Sequence, residues 1–256
     1  MECLLRIGIR SDLQFSNSGG VFLVKTILNY NDLMEMLDDF LREPKEFWEN
    51  FYMDKNKEIP FFKIKGPDEN LVEYIENELI MPGRVLELGC GPGRNAIYMA
   101  QKGYKIDAID ISEHAIEWAK ERANEAGVTI NFLQTSLFDF SVEPNTYDFI
   151  YDCGLLHHLA PHRRLSYLEF IKKALKRDGH YGLVCFNTEG ALDTSDWEIY
   201  RAGSLKRGIG YTEDRLKEIF KKDFNMINFR QMKKITQPNH LFGEDFLWSS
   251  LMQIKK

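Results

Sequence analysis

The sequence predicts an α/β fold: a doubly wound, seven-stranded sheet, mostly parallel, with one antiparallel strand near the C-terminus and helices on both faces. Three observations predict it. From residue 84 onward, short apolar runs alternate with stretches of helical periodicity. The first run, "RVLELG", leads into glycines at alternate positions, Gly89, Gly91 and Gly93, and a helical pattern follows. The last two apolar runs have no helix between them, so they pair antiparallel.

The elements follow in order. "DLMEMLDDFL" has helical spacing and is cut by Pro44. "KEFWENFYMDKNKEIPFF" is dense in aromatics, and "DENLVEYIENELI" reads as a helix capped by Asp68 with Leu71, Ile75 and Leu79 on one face. After the strand at 84–88, "RNAIYMAQKG" is a helix ended by Gly103, and "YKIDAID" is the second strand. "SEHAIEWAKERANEAG" is a helix with Ser112 as its cap and Gly127 past its end. "TINFLQT" and "TYDFIYD" are strands, and "RRLSYLEFIKKALKRDG" is a helix with a basic C-terminal end. "HYGLVCFN" is a strand, "TEDRLKEIFKK" a helix capped by Thr212, and "MINFRQM" and "FLWSSLMQI" the final strands. The chain divides at about residue 66, into an N-terminal leader with a helical and aromatic segment (1–66) and the α/β domain (67–256).

Composition narrows the function. The 256 residues carry a net charge of -6, which gives no general attraction to nucleic acid or to an anionic membrane. No apolar run reaches the ~20 residues of a membrane span, and the N-terminus lacks the apolar core of a signal peptide. The four cysteines, Cys3, Cys90, Cys153 and Cys185, form no C-x-x-C pair, so neither a zinc site nor a disulfide framework is expected. A soluble cytoplasmic protein is expected, with no metal.

In a doubly wound sheet, ligands bind at the carboxyl ends of the strands where the strand order reverses. The glycine loop lies at such an end, ahead of a helix N-terminus with free N–H groups. The dinucleotide fingerprint G-x-G-x-x-G fails here, because its last position is Arg94. The pattern is E-x-G-x-G-x-G from Glu87 to Gly93, with Asp110 ending the second strand. An acid there chelates ribose hydroxyls, and Glu87 beside the loop disfavours a pyrophosphate. A cationic, non-phosphorylated nucleoside suits these residues.

The stretch "LELGCGPGRNAIYMAQKGYKIDAIDIS" resembles the first motifs of class I S-adenosylmethionine-dependent methyltransferases, and within them the tellurite-resistance and thiopurine small-molecule group. The resemblance implies a Rossmann-like domain and S-adenosylmethionine as cofactor, with S-adenosylhomocysteine as product. It implies that Glu87, Gly89, Gly91 and Gly93, with Cys90 and Asn95 beside them, pass under the methionine part. Asp110 matches the ribose-binding acid and Ile111 the residue packed on adenine. Ser136 stands where the family usually carries an acid towards adenine, so Leu137, through its backbone, is the safer adenine contact. Asp148 matches the acid opening the fourth motif, and Asp152, Cys153 and Gly154 are expected to face the cofactor.

Other residues carry weaker signals. His158 is the candidate general base, although paired histidines often merely begin a helix. Cys153 shows no charged activator and reads as a packing residue. The aromatic segment with Trp48, Phe51, Tyr52, Phe61 and Phe62 is either a helix on the sheet edge or a lid over cofactor and substrate. The connection 187–211 is long, and its Trp197, Tyr200, Arg201 and Tyr211 are candidate substrate contacts. The expected function is methyl transfer to a small-molecule sulfur, oxygen or nitrogen nucleophile. The alternatives are a methyltransferase of RNA or protein, a non-catalytic S-adenosylmethionine-binding regulator and an NAD-dependent dehydrogenase. The missing fingerprint glycine disfavours the last.

Overall fold

The computed structural model describes residues 26–236 and 240–255. The expected leader, up to residue 25, and Cys3 lie outside the described residues.

Three helices precede the α/β part: α1 (Tyr30–Asp38), α2 (Pro44–Met53) and the short α3 (Pro60–Lys63). Then come α4 (Glu69–Glu76), β1 (Arg84–Leu88), α5 (Arg94–Gln101), β2 (Lys105–Asp110), α6 (Glu113–Ala126), β3 (Asn131–Gln134) and β4 (Tyr147–Cys153). A 3-10 turn (Leu156–His158) leads to α7 (Arg163–Ala174), β5 (Leu175–Phe186), α8 (Asp196–Ala202), α9 (Glu213–Phe220), β6 (Phe224–Gln231) and β7 (Leu247–Ile254). The strands form one seven-stranded sheet in the order β3-β2-β1-β4-β5-β7-β6. Every pair is parallel except those of β7, which lies antiparallel between β5 and β6. The order reverses between β1 and β4, which places the switch point beside the glycine loop.

Side-chain alternation gives each face its own core. Leu86 and Leu88 of β1 pack with Ile150, Leu183, Tyr167 and Ile171 under α7 and α9. Val85 packs on the opposite face with Phe149, Tyr151, Ala96 and Met99 under α4 and α5. Glu87 shares the second face, and so do Tyr151 and Cys153 of β4.

Three local expectations are corrected. First, α4 stops at Glu76, and the chain reverses at Glu78 in a left-handed turn. Leu79 therefore leaves the apolar face, and Ile80 is buried instead. Second, Asp68 occupies the N-cap position of α4 but caps nothing; its side chain is buried for another purpose. Third, α7 ends at Ala174 rather than continuing through the basic run. Leu175 already belongs to β5, paired with Tyr147, and the strand irregularity is accommodated at Gly179, where a Cβ would lie 2.9 Å from the Leu175 side chain. The long connection 187–211 contains α8, whose start is fixed by a reciprocal cap between Ser195 and Glu198. No described helix is long and apolar enough to cross a membrane.

Candidate active site

The site begins where β1 ends. Gly89, Gly91 and Gly93 have φ values of 62°, 51° and 73°, in the left-handed region. Their missing side chains serve different ends. A Cβ on Gly93 would lie 3.1 Å from Ala119 Cβ and 3.2 Å from Phe132, so this glycine lets α5 pack on α6 and β3. A Cβ on Gly91 would lie 2.8 Å from the Tyr52 hydroxyl of α2. Gly91 is buried there beneath α2, and the junction of loop and α2 is the candidate cleft.

Asp110, at the end of β2, faces the loop. Its carboxylate accepts the Gly91 N–H at 2.9 Å and the Ser112 N–H at 2.9 Å. Burial raises its pKa to about 6, with the Ser112 and Gly91 amides opposing. Glu87 is 2% exposed, and its Oε2 has no hydrogen-bond partner among the described residues. Burial first, then the neighbouring Asp68 charge, raise its pKa to about 8, against the pull of Arg94.

Behind the loop lies a buried polar network. Arg94 opens α5 and pairs with Asp68 Oδ1 at 2.5 Å, and it also donates to the Gly66 carbonyl at 3.2 Å. The Tyr151 hydroxyl donates to Asp68 Oδ2 at 2.7 Å. The Asn95 amide is engaged by Asp68, accepting its N–H at 2.9 Å and donating to its carboxylate at 3.0 Å. Asn95 thus ties α5 to the start of α4 instead of presenting its amide to the cleft. Cys153 lies 3.7 Å from Arg94 Nη2, so a charged neighbour does exist. Burial and Asp68 nevertheless hold its thiol well above the ordinary value, as burial and Asp110 do for Cys90. Neither is a thiolate nucleophile.

The far end of the cleft is bounded by residues 135–140. The Thr135 N–H donates to the Asp110 carbonyl, and Ser136 Oγ accepts the Phe138 N–H at 3.2 Å, closing a local turn. Leu137 is buried, and its N–H and C=O form none of the hydrogen bonds that hold this loop. Ile111 is half-buried directly after Asp110.

Asp152 does not face this cleft. Alternation turns it to the opposite side from Tyr151 and Cys153, where it is fully buried. It accepts the Leu155 and Leu156 N–H groups at 2.7 Å and 3.0 Å, and the Tyr167 hydroxyl. Burial raises its pKa to about 7. Its role is to hold the 3-10 turn after β4. Gly154 follows with φ 106°. Asp148, at the opening of β4, sits at the other edge of the sheet and accepts from Arg84 N–H and Lys176, each at 2.8 Å.

The roof is aromatic. Tyr52 stacks on Phe62 at 5.6 Å, and Phe62 meets Trp118 of α6 edge-on at 5.0 Å. Phe51 and Phe61 extend the cluster. The segment packs on α6, with Tyr52 over Gly91. The Tyr52 hydroxyl makes no hydrogen bond to the described residues, and burial followed by the Asp110 charge raise its pKa well above the ordinary value. Trp48, one turn earlier, meets the His158 ring edge-on at 4.8 Å. His158 Nδ1 has no hydrogen-bond partner among the described residues, and burial, with Arg42 adding to it, lowers its pKa to about 3. A group so weakly basic is poorly matched to general-base work at neutral pH. His157 accepts the Phe186 N–H at 3.1 Å and stacks on that ring at 3.8 Å, a structural role.

The acceptor candidates of the 187–211 connection are not brought together. Tyr211 is wholly buried, its hydroxyl accepting from Arg164 at 3.3 Å, so it belongs to the core. The Tyr200 hydroxyl is engaged with His162, at 3.1 Å from its N–H and 2.5 Å from Nδ1. Trp197 is 77% exposed, in an outer groove with Asp193, Ser195 and Arg215, and Arg201 is exposed too. The residues that sequence reasoning missed are Arg94, Asp68 and Tyr151. Only Arg94 carried a local signal, through its place directly after the glycines.

Residues 85–179 match a family described as a methyltransferase domain. A methyltransferase of Schizosaccharomyces pombe is 37% identical over 121 residues, covering 47% of this chain and 83% of that protein. TehB of Haemophilus influenzae is 27% identical over 156 residues, 60% of this chain and 50% of TehB. Its solved structure superposes with a TM-score of 0.54 at 20% identity, covering 73% of this chain and 62% of that one. The Burkholderia thailandensis 1,6-didemethyltoxoflavin-N1-methyltransferase, solved with 1,6-didemethyltoxoflavin and S-adenosylhomocysteine bound, superposes with a TM-score of 0.56 at 21% identity, over 73% and 78% of the two chains.

Proposed function

Because the chain belongs to the class I S-adenosylmethionine-dependent methyltransferases, in the group that includes TehB, we propose that it methylates a small-molecule acceptor by in-line displacement. The observation that carries this reading is the closeness of the roof: the Tyr52 hydroxyl lies 2.8 Å from the position of a Gly91 Cβ, and Trp48 reaches His158. An acceptor under such a roof is enclosed, which suits a compact molecule better than an RNA or protein surface. The net charge of -6 supports the same choice against RNA.

The residues fit the cofactor. The unpartnered Glu87 Oε2 and the left-handed loop backbone suit a methionine ammonium and chain. Asp110 has acceptor capacity left beyond its two amide bonds, as a ribose diol requires. The unused Leu137 amide and the Ile111 side chain suit adenine. When bound, S-adenosylmethionine supplies a methyl group already activated by its sulfonium charge. The protein's work is then alignment and exclusion of water, by Trp48, Tyr52 and the turn 156–158. With His158 and both cleft cysteines unsuited to proton or group transfer, an acceptor that is nucleophilic without deprotonation by the enzyme fits best. Residues 67–256 form the catalytic domain in this reading, and residues 26–66 its lid.

The test has two stages. Titration calorimetry should show binding of S-adenosylmethionine and S-adenosylhomocysteine without comparable binding of NAD. A panel of thiols, amines, oxyanions and aromatic N-heterocycles, set beside bulk RNA and protein, should release S-adenosylhomocysteine with a small molecule. Turnover with RNA or protein alone would overturn the small-acceptor reading.

A further inference from the structure

We infer that Glu49, carried by α2, is a second ribose-binding carboxylate, so that the nucleoside is held from above by the N-terminal segment as well as from below by Asp110. The inference rests on the methyltransferase reading and adds a residue to its cofactor site. Glu49 lies one residue after Trp48 and three before Tyr52, so all three reach the cleft from one side of α2. Tyr52 stands over Gly91 and Trp48 over His158. Glu49 stands at the remaining corner, where β2 ends and α6 begins.

The contacts there are specific. Glu49 Oε1 is 3.0 Å from His114 Nδ1, in the first turn of α6. Its carboxyl also lies beside Ser112, whose N–H donates to Asp110 Oδ1 at 2.9 Å. Burial alone would raise its pKa, but the Ser112 hydroxyl and the His114 ring outweigh it and hold it below the ordinary glutamate value. Glu49 is thus kept as an anion, and its charge acts on Asp110. Its other oxygen, Oε2, is buried and makes no hydrogen bond among the described residues.

Two carboxylates facing one corner, one with an oxygen that lacks a donor, are an unfavourable arrangement on their own. Donors placed between them would relieve it. Asp110 has given one acceptor position on each oxygen to backbone amides and retains the others. A vicinal diol brings two O–H donors on neighbouring carbons, enough to serve Asp110 and Glu49 Oε2 together. The nucleoside ribose is the diol that the proposed cofactor carries to this end of the cleft. The competing role for Glu49 is mechanical, a latch of α2 to α6 through His114.

The full chain with S-adenosylhomocysteine and its 2′-deoxy and 3′-deoxy analogues separates these roles by titration calorimetry. Glu49→Ala should weaken S-adenosylhomocysteine binding by about tenfold, the scale of one charge-assisted hydrogen bond, and Glu49→Gln should recover part of it. Both variants should shrink the penalty for at least one deoxy analogue, because the removed hydroxyl has already lost its acceptor. His114→Ala breaks the latch, spares the carboxylate and should leave that penalty unchanged. If Glu49→Ala and His114→Ala weaken binding equally with the deoxy penalties intact, Glu49 is only a latch and the inference falls. It falls equally if Glu49→Ala binds as tightly as wild type. Failure of the wild-type protein to bind S-adenosylhomocysteine at all would overturn the methyltransferase reading itself, and this inference with it.

Discussion

The cleft has a floor and a roof, built in different ways. The floor is the carboxyl edge of the sheet: the glycine loop and Asp110, fixed by strand register and hydrogen bonds to backbone amides, with the buried Leu137 beyond them. The roof is α2, held by ring contacts and by single polar links such as Glu49 to His114 and Lys55 to Glu121. Interactions of the second kind are individually weak, the exposed ion pairs least of all. The difference separates recognition from enclosure. In the proposed reading, a floor cut into the sheet can change little without unfolding, whereas a roof resting on side chains opens at modest cost to admit a ligand.

The largest expected effect lies in the floor. In the proposed reading, Asp110→Ala removes a charge-assisted hydrogen bond to ribose, worth ~1.5–3 kcal/mol in gross terms, so S-adenosylhomocysteine affinity should fall at least tenfold. A residue at the open end of a strand is expected to matter little for stability. The structure corrects that expectation, since the Gly91 and Ser112 amides would each lose their acceptor. Asp110→Ala should therefore also lower Tm, and Asp110→Asn less so. Unchanged affinity in either variant would place the ribose elsewhere.

The next effect concerns acids buried beneath the roof and the sheet. Glu87, Asp152 and Asp110 bind protons more tightly in the folded chain, at about 8, 7 and 6, against ordinary values of 4.5, 3.8 and 3.8. The stability they contribute is complete below about pH 4 and is lost as pH rises through 6 to 8. The ligand-free protein should accordingly melt lower at pH 8.5 than at pH 5.5. One pKa unit corresponds to about 1.4 kcal/mol, so the difference should amount to several degrees. Glu87→Gln removes the largest of the three and should flatten the profile, which a melting series from pH 5 to 9 would detect. A Tm that rises over that range would mean that these carboxyls fold as anions.

How far the cleft is legible from residues alone follows the same division. The glycine loop and Asp110 are legible because the chemistry lies in a short, continuous pattern at a strand end. Asp68 misleads because one residue type serves two purposes. An aspartate before a helical run reads as an N-cap, yet this one pairs with Arg94, 26 positions on, at 2.5 Å. Nothing local announces a partner at that separation. Tyr211 stands out by residue type and by its place in a long loop, but the loop buries it against Arg164. The end of α7 reads too late because "KKALKRDG" has the charges of a helix C-terminus, and only the pairing of Leu175 with Tyr147 decides otherwise.

Two tyrosines turn that lesson into a measurement. Tyr211→Phe removes a buried hydroxyl that accepts from Arg164, at a cost of about 1 kcal/mol, and should leave cofactor and acceptor binding unchanged. Tyr52→Phe removes a hydroxyl that makes no hydrogen bond to the described residues, so Tm should hold or rise while S-adenosylhomocysteine affinity or acceptor KM worsens. Loss of acceptor binding in Tyr211→Phe would restore the loop 187–211 to the active site. Full activity in Tyr52→Phe would reduce the roof to packing.

The smallest effect is expected at Ser136, where the chain departs from the family's acid. Its Oγ already accepts the Phe138 N–H at 3.2 Å, which leaves one lone pair and a hydroxyl proton for any ligand. An aspartate would accept from the adenine amino group as an anion; a hydroxyl so engaged accepts weakly. In the proposed reading, discrimination of adenine then rests on the Leu137 backbone, which the loop leaves unbonded, and on packing against Ile111. Ser136→Ala should accordingly cost less than ~1 kcal/mol in S-adenosylmethionine affinity, the net scale of one neutral hydrogen bond with water at hand. Ser136→Asp can keep the turn, since its carboxylate can accept the same N–H, and should bind as well as wild type or better. The two dissociation constants decide the matter. A hundredfold loss in Ser136→Ala would mean that the third-strand residues meet the nucleoside in a different register, with Ser136 itself as the principal contact.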